Sequence, residues 1–151
     1  MKYITLLLLG SFGIWAATPP AVVVHSAKDL AAATARLAAK KSRFAGEDLE
    51  RYGHHYTMLA ERDATGSSEV HDHEADIFFV LSGEATLLTG GKVVNPHTTK
   101  PGEIRGTSIR GGERQQVGAG DVIQIAAGVP HQLLVTNGKP FSYYVVKVTG
   151  Q

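Results

Sequence analysis

Short stretches of alternating apolar and polar residues, separated by glycine-rich turns, make up most of the chain after residue 51. A period of two is typical of β-strands, because successive side chains of a strand point to opposite faces. The predicted strands are residues 52–62, 70–73, 76–81, 85–89, 92–94, 113–117, 122–125, 131–136 and 141–148. Many short strands with regular turns indicate an all-β sandwich or barrel.

Three other segments lack this alternation. Leu30, Ala33 and Leu37 recur at helical spacing and predict a helix over residues 27–41 that begins after Ser26 as N-cap. Residues 42–50 are polar and predict a connection. Residues 95–112 are rich in glycine and proline and predict a long ordered loop over one mouth of the β domain. The charged side chains of this loop, Arg105 and Arg110 among them, are expected in solvent.

The first residues resemble an export signal. Lys2 is the one charged residue before an apolar run at residues 4–17, which ends in Ala16 and Ala17. The run is shorter than the roughly 20 apolar residues of a membrane span. We therefore predict a signal peptide at residues 1–17 and a secreted or periplasmic protein, with an uncleaved membrane anchor as the alternative. Residues 18–50 then form an N-terminal extension, and residues 51–151 form the β domain.

Charge and cysteine content narrow the range of functions. The chain of 151 residues has 15 Lys and Arg against 14 Asp and Glu, and Lys2 lies in the predicted signal. A balanced charge provides no electrostatic surface for nucleic acid or for an anionic membrane. The sequence contains no cysteine, so any metal or acid–base chemistry depends on histidines and carboxylates.

The richest candidate site lies between residues 66 and 83. His71 and His73 are two positions apart, so an unbroken strand would point both imidazoles to one face. Asp76 follows them, and His131 at the start of a later strand is the candidate for a third imidazole. Histidine and carboxylate ligands suit one divalent Mn, Fe, Ni, Co or Zn ion. Asp76 joins the site only if a break at residues 74–75 resets the alternation; Glu74 is the alternative carboxylate.

These residues resemble the two motifs of the cupin superfamily over residues 52–148. The first motif corresponds to Gly66, His71, His73, Asp76 and Gly83, and the second to Gly120, Asp121, Gly128, Pro130 and His131. The resemblance implies a double-stranded β-helix, or jelly-roll barrel, with the N-terminal helix outside it. It also implies a metal held by His71, His73, Asp76 and His131, and a homodimer.

The chain departs from the cupin pattern at three positions. The carboxylate of the first motif is usually a glutamate, and it stands at least one place further from the second histidine. Ala126 occupies the place of a usual proline, and Val135 that of a usual asparagine.

Three functions are compatible with this resemblance. The preferred hypothesis is an exported enzyme that acts on a small organic molecule by dioxygenase-like chemistry at the metal. The first alternative is a redox-neutral isomerase or lyase, for which His54, His55 and Tyr56 are the candidate acid–base residues. The second is a non-catalytic protein that binds a small molecule or sugar. All three functions occur on this fold, so the fold alone does not discriminate between them.

Overall fold

The computed structural model describes residues 20–151, in which one helix precedes thirteen strands. The predicted signal peptide at residues 1–17 lies outside the described residues. Among the described residues, no helix has the length and apolarity needed to cross a membrane. The elements are α1 (Ala27–Ala38), β1 (Phe44–Arg51), β2 (His55–Arg62), β3 (Ser68–His71), β4 (Glu74–Ser82), β5 (Glu84–Thr89), β6 (Lys92–Val94), β7 (His97–Lys100), β8 (Glu103–Gly106), β9 (Ser108–Arg110), β10 (Glu113–Gly118), β11 (Val122–Ile125), β12 (His131–Leu134) and β13 (Phe141–Thr149).

The strands form two antiparallel sheets that face each other. One sheet has the order β1-β2-β13-β4-β11 and the other β10-β5-β12-β3-β8-β7, while β6 and β9 pair separately. Consecutive strands β3 and β4 belong to different sheets, as do β12 and β13. This crossing between sheets is typical of a jelly roll. The predicted architecture, a double-stranded β-helix with one N-terminal helix, is confirmed.

The core between the sheets is apolar, and the central strand β13 shows how its composition changes along the barrel. Phe141, Tyr143 and Val145 alternate inward and are almost completely buried. Lys147 is the next residue on the same face and is also buried. One end of the barrel is therefore filled with apolar side chains, whereas the other end holds charged groups.

Helix α1 packs on the outer surface of the five-stranded sheet. Leu37 forms a small cluster there with Ala45 and Leu59. The side chain of Ser26 accepts a hydrogen bond from the amide of Asp29, as predicted for the N-cap. The helix ends at Ala38, three residues before the predicted end, and Lys41 adopts a positive φ of 47° that a continuing helix does not allow.

Two predicted connections are strands instead. Residues 42–50 contain most of β1, which pairs with β2 at the sheet edge, so its outer side chains remain polar. Residues 95–112 contain β7, β8 and β9, with a turn at Gly102, whose φ is 74°. The sequence pattern concealed β7 and β8 because β7 is exposed throughout and β8 carries two charged residues that face the barrel interior.

Candidate metal centre

An open cavity of about 570 Å³ lies between the sheets at the charged end of the barrel. Its polar wall comes from both sheets, because the inward rows of β3 and β8 face those of β2, β4 and β13. The six-stranded sheet contributes Glu69, His71, Glu103 and Arg105 to this wall, and the five-stranded sheet contributes Tyr56, Arg62, Asp76, Tyr143 and Lys147.

Four side chains bring one donor atom each to a common centre. Glu69 Oε2 lies 3.5 Å from His71 Nε2 and 3.9 Å from His131 Nε2. Asp76 Oδ2 lies 3.5 Å from His71 Nε2 and 3.4 Å from His131 Nε2. We call these four atoms the donor cluster. Ligands about 2.1 Å from one ion are separated by about 3.0 Å at right angles and about 3.4 Å at tetrahedral angles. The four carboxylate–imidazole distances are therefore close to those between ligands of one metal ion.

Strand register explains why these residues meet. His131 on β12 lies opposite Glu69 on β3, so the two side chains are direct cross-strand neighbours. Glu69 and His71 are two apart on β3 and share its inward face. Asp76 approaches from the facing sheet. The chain bends at residues 72–73 before β4 begins, and this break resets the alternation so that Asp76 points inward.

The two imidazoles are held by their other nitrogen atoms. His131 Nδ1 is 3.0 Å from the carbonyl oxygen of Val129 and must donate to it, because a carbonyl only accepts. His71 Nδ1 is 2.5 Å from Glu103 Oε2. Each Nε2 thus faces the centre, and His131 Nε2 and Asp76 Oδ2 are buried without a hydrogen-bond partner among residues 20–151. Outer carboxylate and carbonyl partners of this kind orient the histidine ligands of metal sites.

Glu69 is oriented in the same way. Its Oε1 forms ion pairs with Arg105 and, at 3.2 Å, with Arg62. Arg105 also pairs with Glu103, the residue that holds His71. The two guanidinium groups fix Oε1 on the outer side, so Oε2 is left to face the imidazoles.

Lys147 lies beside the donor cluster. Its Nζ is 2.7 Å from His71 Nε2 and 2.6 Å from Asp76 Oδ1. The contact with Asp76 Oδ1 is an ion pair whose angles are not those of a hydrogen bond. Lys147 and Asp76 are opposite each other in the β13–β4 ladder, so the register of the sheet places the ammonium here.

The electrostatics of the centre favour ionised carboxylates. Burial alone would raise the pKa of Asp76, but His131, His71 and Lys147 together hold that pKa well below its ordinary value. Burial also opposes ionisation of Glu69, yet its contacts with His71, Arg105 and Arg62 lower its pKa strongly.

His71 lies between the carboxylates of Glu69 and Asp76 and the side chain of Lys147. Burial lowers the pKa of His71, whereas Asp76 and Glu69 raise it, to about 9, against the opposing charge of Lys147. A doubly protonated imidazole and an ammonium would place two N–H groups against each other at 2.7 Å. A hydrogen bond at this contact therefore needs a lone pair on one of the two nitrogen atoms.

The structure brings together three of the four predicted metal ligands. His71, Asp76 and His131 meet at the centre, and each is at most 4% exposed. Glu74, the alternative to Asp76, lines the cavity but accepts a hydrogen bond from the Tyr56 hydroxyl at 3.0 Å. The prediction for His73 is wrong in its geometry: β3 ends at His71, and His73 lies exposed in the bend.

The three predicted acid–base residues also differ in position. Tyr56 points into the cavity, and burial together with the nearby Glu74 carboxylate raises the pKa of its hydroxyl. His54 is exposed before β2, and His55 points to the other face of that strand, where it stacks on Tyr52 at 4.8 Å. Neither histidine lines the cavity, because Tyr56 begins the inward row of β2, so His54 and His55 are not placed for acid–base chemistry there.

Glu69, Glu103, Arg105 and Lys147 were not selected from the sequence. The spacing of the first motif contained a signal for Glu69. If His71 is the second residue of the paired ligands, Glu69 is the first, and Asp76 stands five places further on. That register removes the spacing anomaly of the carboxylate. Arg105, expected in solvent, forms part of the cavity wall.

Comparisons with known proteins identify the fold. No protein-family model matches the chain, and no curated protein sequence is similar to it. A protein from Bacillus halodurans superposes with a TM-score of 0.59 and 18% identity, covering 88% of this chain and 84% of that one. The cupin domain of Cnp3 from Schizosaccharomyces pombe superposes with a TM-score of 0.54 and 10% identity, over 72% and 66%. The chain has the cupin fold.

Enzymes are among the proteins with a similar fold. The DMSP lyase DddQ from Ruegeria pomeroyi superposes with a TM-score of 0.51 and 22% identity, covering 74% of this chain and 49% of that one. At this level of identity the likeness concerns the fold. The chain combines that fold with a group of side chains, Glu69, His71 and His131, that could hold a metal ion.

Proposed function

We propose that this cupin is a metal-dependent enzyme acting on a small organic molecule, with one divalent transition-metal ion held by Glu69, His71, Asp76 and His131. The observation that carries the proposal is the donor cluster, in which the carboxylate oxygens of Glu69 and Asp76 each lie 3.4–3.9 Å from both imidazole Nε2 atoms. Two negative charges and two imidazole lone pairs at this spacing attract a cation.

The residues of the donor cluster fit a divalent transition-metal ion, which is the group that the resemblance to cupins implies. Two imidazoles with carboxylates suit Mn, Fe, Co, Ni or Zn, and the chain has no thiolate to select a softer ion. Two histidines with a carboxylate are also the ligand types of non-haem Fe(II) oxygenases. A bound ion would supply Lewis acidity or a site for dioxygen, facing the cavity.

The chain itself supplies the substrate pocket. Met58, Phe78 and Val145 form an apolar wall on the five-stranded sheet, and Phe44 lies toward its edge. A cavity of about 570 Å³ with one apolar wall and one charged end suits a small, partly apolar organic molecule.

Dioxygenase-like chemistry is the first candidate reaction, because the ligand types match those of iron oxygenases. Redox-neutral chemistry is the second. Tyr56 and Glu74 form a hydrogen-bonded pair in the cavity and could move a proton to or from a bound substrate. The similarity in fold to a DMSP lyase is compatible with this second reaction.

Export and self-association belong to the same proposal. The signal peptide predicted at residues 1–17 would direct the protein out of the cytoplasm. A homodimer is expected from the likeness to cupins, and a sedimentation experiment at micromolar concentration tests it. A monomer would refute the homodimer without affecting the metal centre.

Elemental analysis of protein purified without chelator tests the metal centre. We expect close to one metal ion per chain in the parent and none in His131→Ala or Asp76→Ala. His73→Ala is the matched control, because it removes an exposed histidine near the same strand and should keep the metal. Absence of metal in the parent after incubation with each candidate ion would refute the proposal.

Oxygen uptake separates the two reactions once the metal is known. A dioxygenase consumes oxygen with its substrate, and the consumption stops in His131→Ala. A lyase or isomerase turns over in the absence of oxygen and loses activity in Tyr56→Phe. Tyr56→Phe removes only the hydroxyl that contacts Glu74.

A further inference from the structure

We propose that Lys147 is an internal competitor of the metal: its side chain occupies the metal-binding nitrogen of His71, and a metal ion must displace it to bind. The inference rests on the proposed function, because it concerns the same centre. Lys147 is buried on β13, a strand that belongs to neither of the two sequence motifs.

The geometry gives one nitrogen two competing partners. His71 Nδ1 is engaged by Glu103 at 2.5 Å, so Nε2 is the atom through which His71 can bind a metal. Lys147 Nζ lies 2.7 Å from this Nε2. An imidazole nitrogen either takes part in an N–H···N hydrogen bond or coordinates a metal, since it has one lone pair. The two arrangements of His71 are therefore mutually exclusive.

The charges around the centre also indicate that Lys147 and a metal ion compete for it. The carboxylates of Glu69, Asp76 and Glu103 are matched by Arg62, Arg105 and Lys147, and the pairs are in direct contact. Both arginines face Glu69 Oε1, on the outer side of the donor cluster. Lys147 alone among the three cations contacts an atom of the donor cluster, so it both neutralises the metal-free centre and repels an incoming cation.

Lys147 has a route out of the centre. Its side chain lines the cavity, and a flexible four-carbon stem lets the ammonium move while the backbone of β13 stays in place. After displacement it retains Asp76 Oδ1, which lies 2.6 Å away and is not the oxygen of the donor cluster. Metal binding would then cost the His71–Lys147 contact but keep the pairing of Lys147 with Asp76.

The test compares Lys147→Met with Lys100→Met by calorimetric titration of the metal-free proteins with Zn²⁺. Lys147→Met removes the ammonium but keeps a side chain of similar length, and we expect its Kd for Zn²⁺ to fall by about tenfold or more relative to the parent. Lys100→Met removes the same charge from an exposed residue that lines the same cavity. We expect its Kd to stay within about twofold of the parent.

Thermal unfolding with and without Zn²⁺ provides the second measurement. Without Lys147, the negative charges of Asp76 and Glu69 are incompletely neutralised in the metal-free protein, so the Tm of the metal-free variant should fall below that of the metal-free parent. The Tm of the Zn²⁺-loaded variant should stay close to that of the Zn²⁺-loaded parent. A role in packing alone would lower both Tm values equally and would overturn the proposal. Lys147→Gln repeats the test, and a variant that folds only with Zn²⁺ supports competition.

The outcomes separate this proposal from the one on which it rests. If parent and Lys147→Met bind Zn²⁺ with equal Kd, the competition is refuted and the metal centre stands. If the parent binds Zn²⁺ but Lys147→Met binds more weakly, Lys147 supports the site and the competition is again refuted. If neither protein binds any candidate ion, the metal centre and the competition both fail.

Discussion

Glu69 distinguishes the ligand set of the structure from the ligand set expected from the sequence. Its Oε2 faces both imidazoles, while Arg62 and Arg105 restrain Oε1. We expect Glu69→Gln to weaken Zn²⁺ binding by at least about tenfold, because a neutral amide replaces one of two anionic donors. Calorimetric titration measures the change.

Asp72→Asn is the control for this substitution, since it removes the same charge from an exposed residue in the bend after β3. Unchanged Zn²⁺ affinity in Glu69→Gln together with a loss of affinity in His73→Ala would restore the ligand set expected from the sequence. The structure favours the opposite result because His73 lies in solvent.

Asp76 makes the stability of the metal-free protein sensitive to acid. Its folded-state pKa lies below the ordinary value near 4, so the carboxylate contributes stability above that pH and the contribution is lost as the pH falls. A group of this kind is worth on the order of 2 kcal/mol. Urea unfolding between pH 7 and pH 3 should show the decline.

Asp76→Asn provides the comparison for acid unfolding. The variant should be less stable than the parent at pH 7, since Lys147 loses its buried partner, and its stability should fall less steeply toward pH 3. Parallel curves for parent and variant would show that the carboxylate does not cause the acid sensitivity.

The individual residues also show which parts of the site could be predicted from the sequence. His71, Asp76 and His131 could be found because histidines and a carboxylate at motif spacing are the ligand types that a divalent metal ion needs. Glu69 was not recognised as a ligand because His73 is also two positions from His71 and was paired with it instead. The strand ends at His71, so His73 does not share its inward face. Glu103 and Lys147 come from distant strands, and only the register of the sheets brings them to the centre.

At the scale of elements, the site depends on a bend and a hairpin that lie outside the regular alternation. The bend at residues 72–73 turns Asp76 inward, and the β7–β8 hairpin brings Glu103 opposite His71. Alternating runs predicted most strands, whereas the charged and exposed strands of residues 95–112 resembled a loop. Charged strands of this kind are recognisable only when the interior they face is known to be polar.

Helix α1 is an element that stabilises the barrel from outside and is independent of the centre. Leu37 is 1% exposed and packs with Ala45 and Leu59 on the far side of the five-stranded sheet from the cavity. We expect Leu37→Ala to lower the free energy of unfolding by about 2–5 kcal/mol, the usual range for a buried leucine. Zn²⁺ affinity of the folded variant should be unchanged.

Urea unfolding and calorimetric titration check both halves of this expectation. Ala32→Gly, at an exposed position of the same helix, is the control and should cost about 1 kcal/mol through helix propensity alone. An equal cost for both substitutions would show that α1 is not anchored by Leu37.

For the whole molecule, the centre joins the two sheets at the end of the barrel that lacks an apolar core. Glu69, His71 and His131 belong to the six-stranded sheet, and Asp76 belongs to the five-stranded sheet. A bound ion would contact side chains of both sheets. Because it would bind the folded state and not the unfolded chain, it would stabilise the folded state by about 2.7 kcal/mol at a free concentration of 100 times Kd. Chelation should therefore lower the Tm of the loaded protein by several degrees.

Scanning calorimetry before and after chelation, followed by return of the metal, measures this coupling. The parent and His73→Ala should both lose and recover the higher Tm, because His73 lies outside the centre. His131→Ala should show one Tm under all three conditions, since it lacks a ligand that belongs to the six-stranded sheet. If chelation lowers the Tm of His131→Ala as much as that of the parent, the stabilising ion binds elsewhere on the molecule, and the barrel end is held by its ion pairs alone.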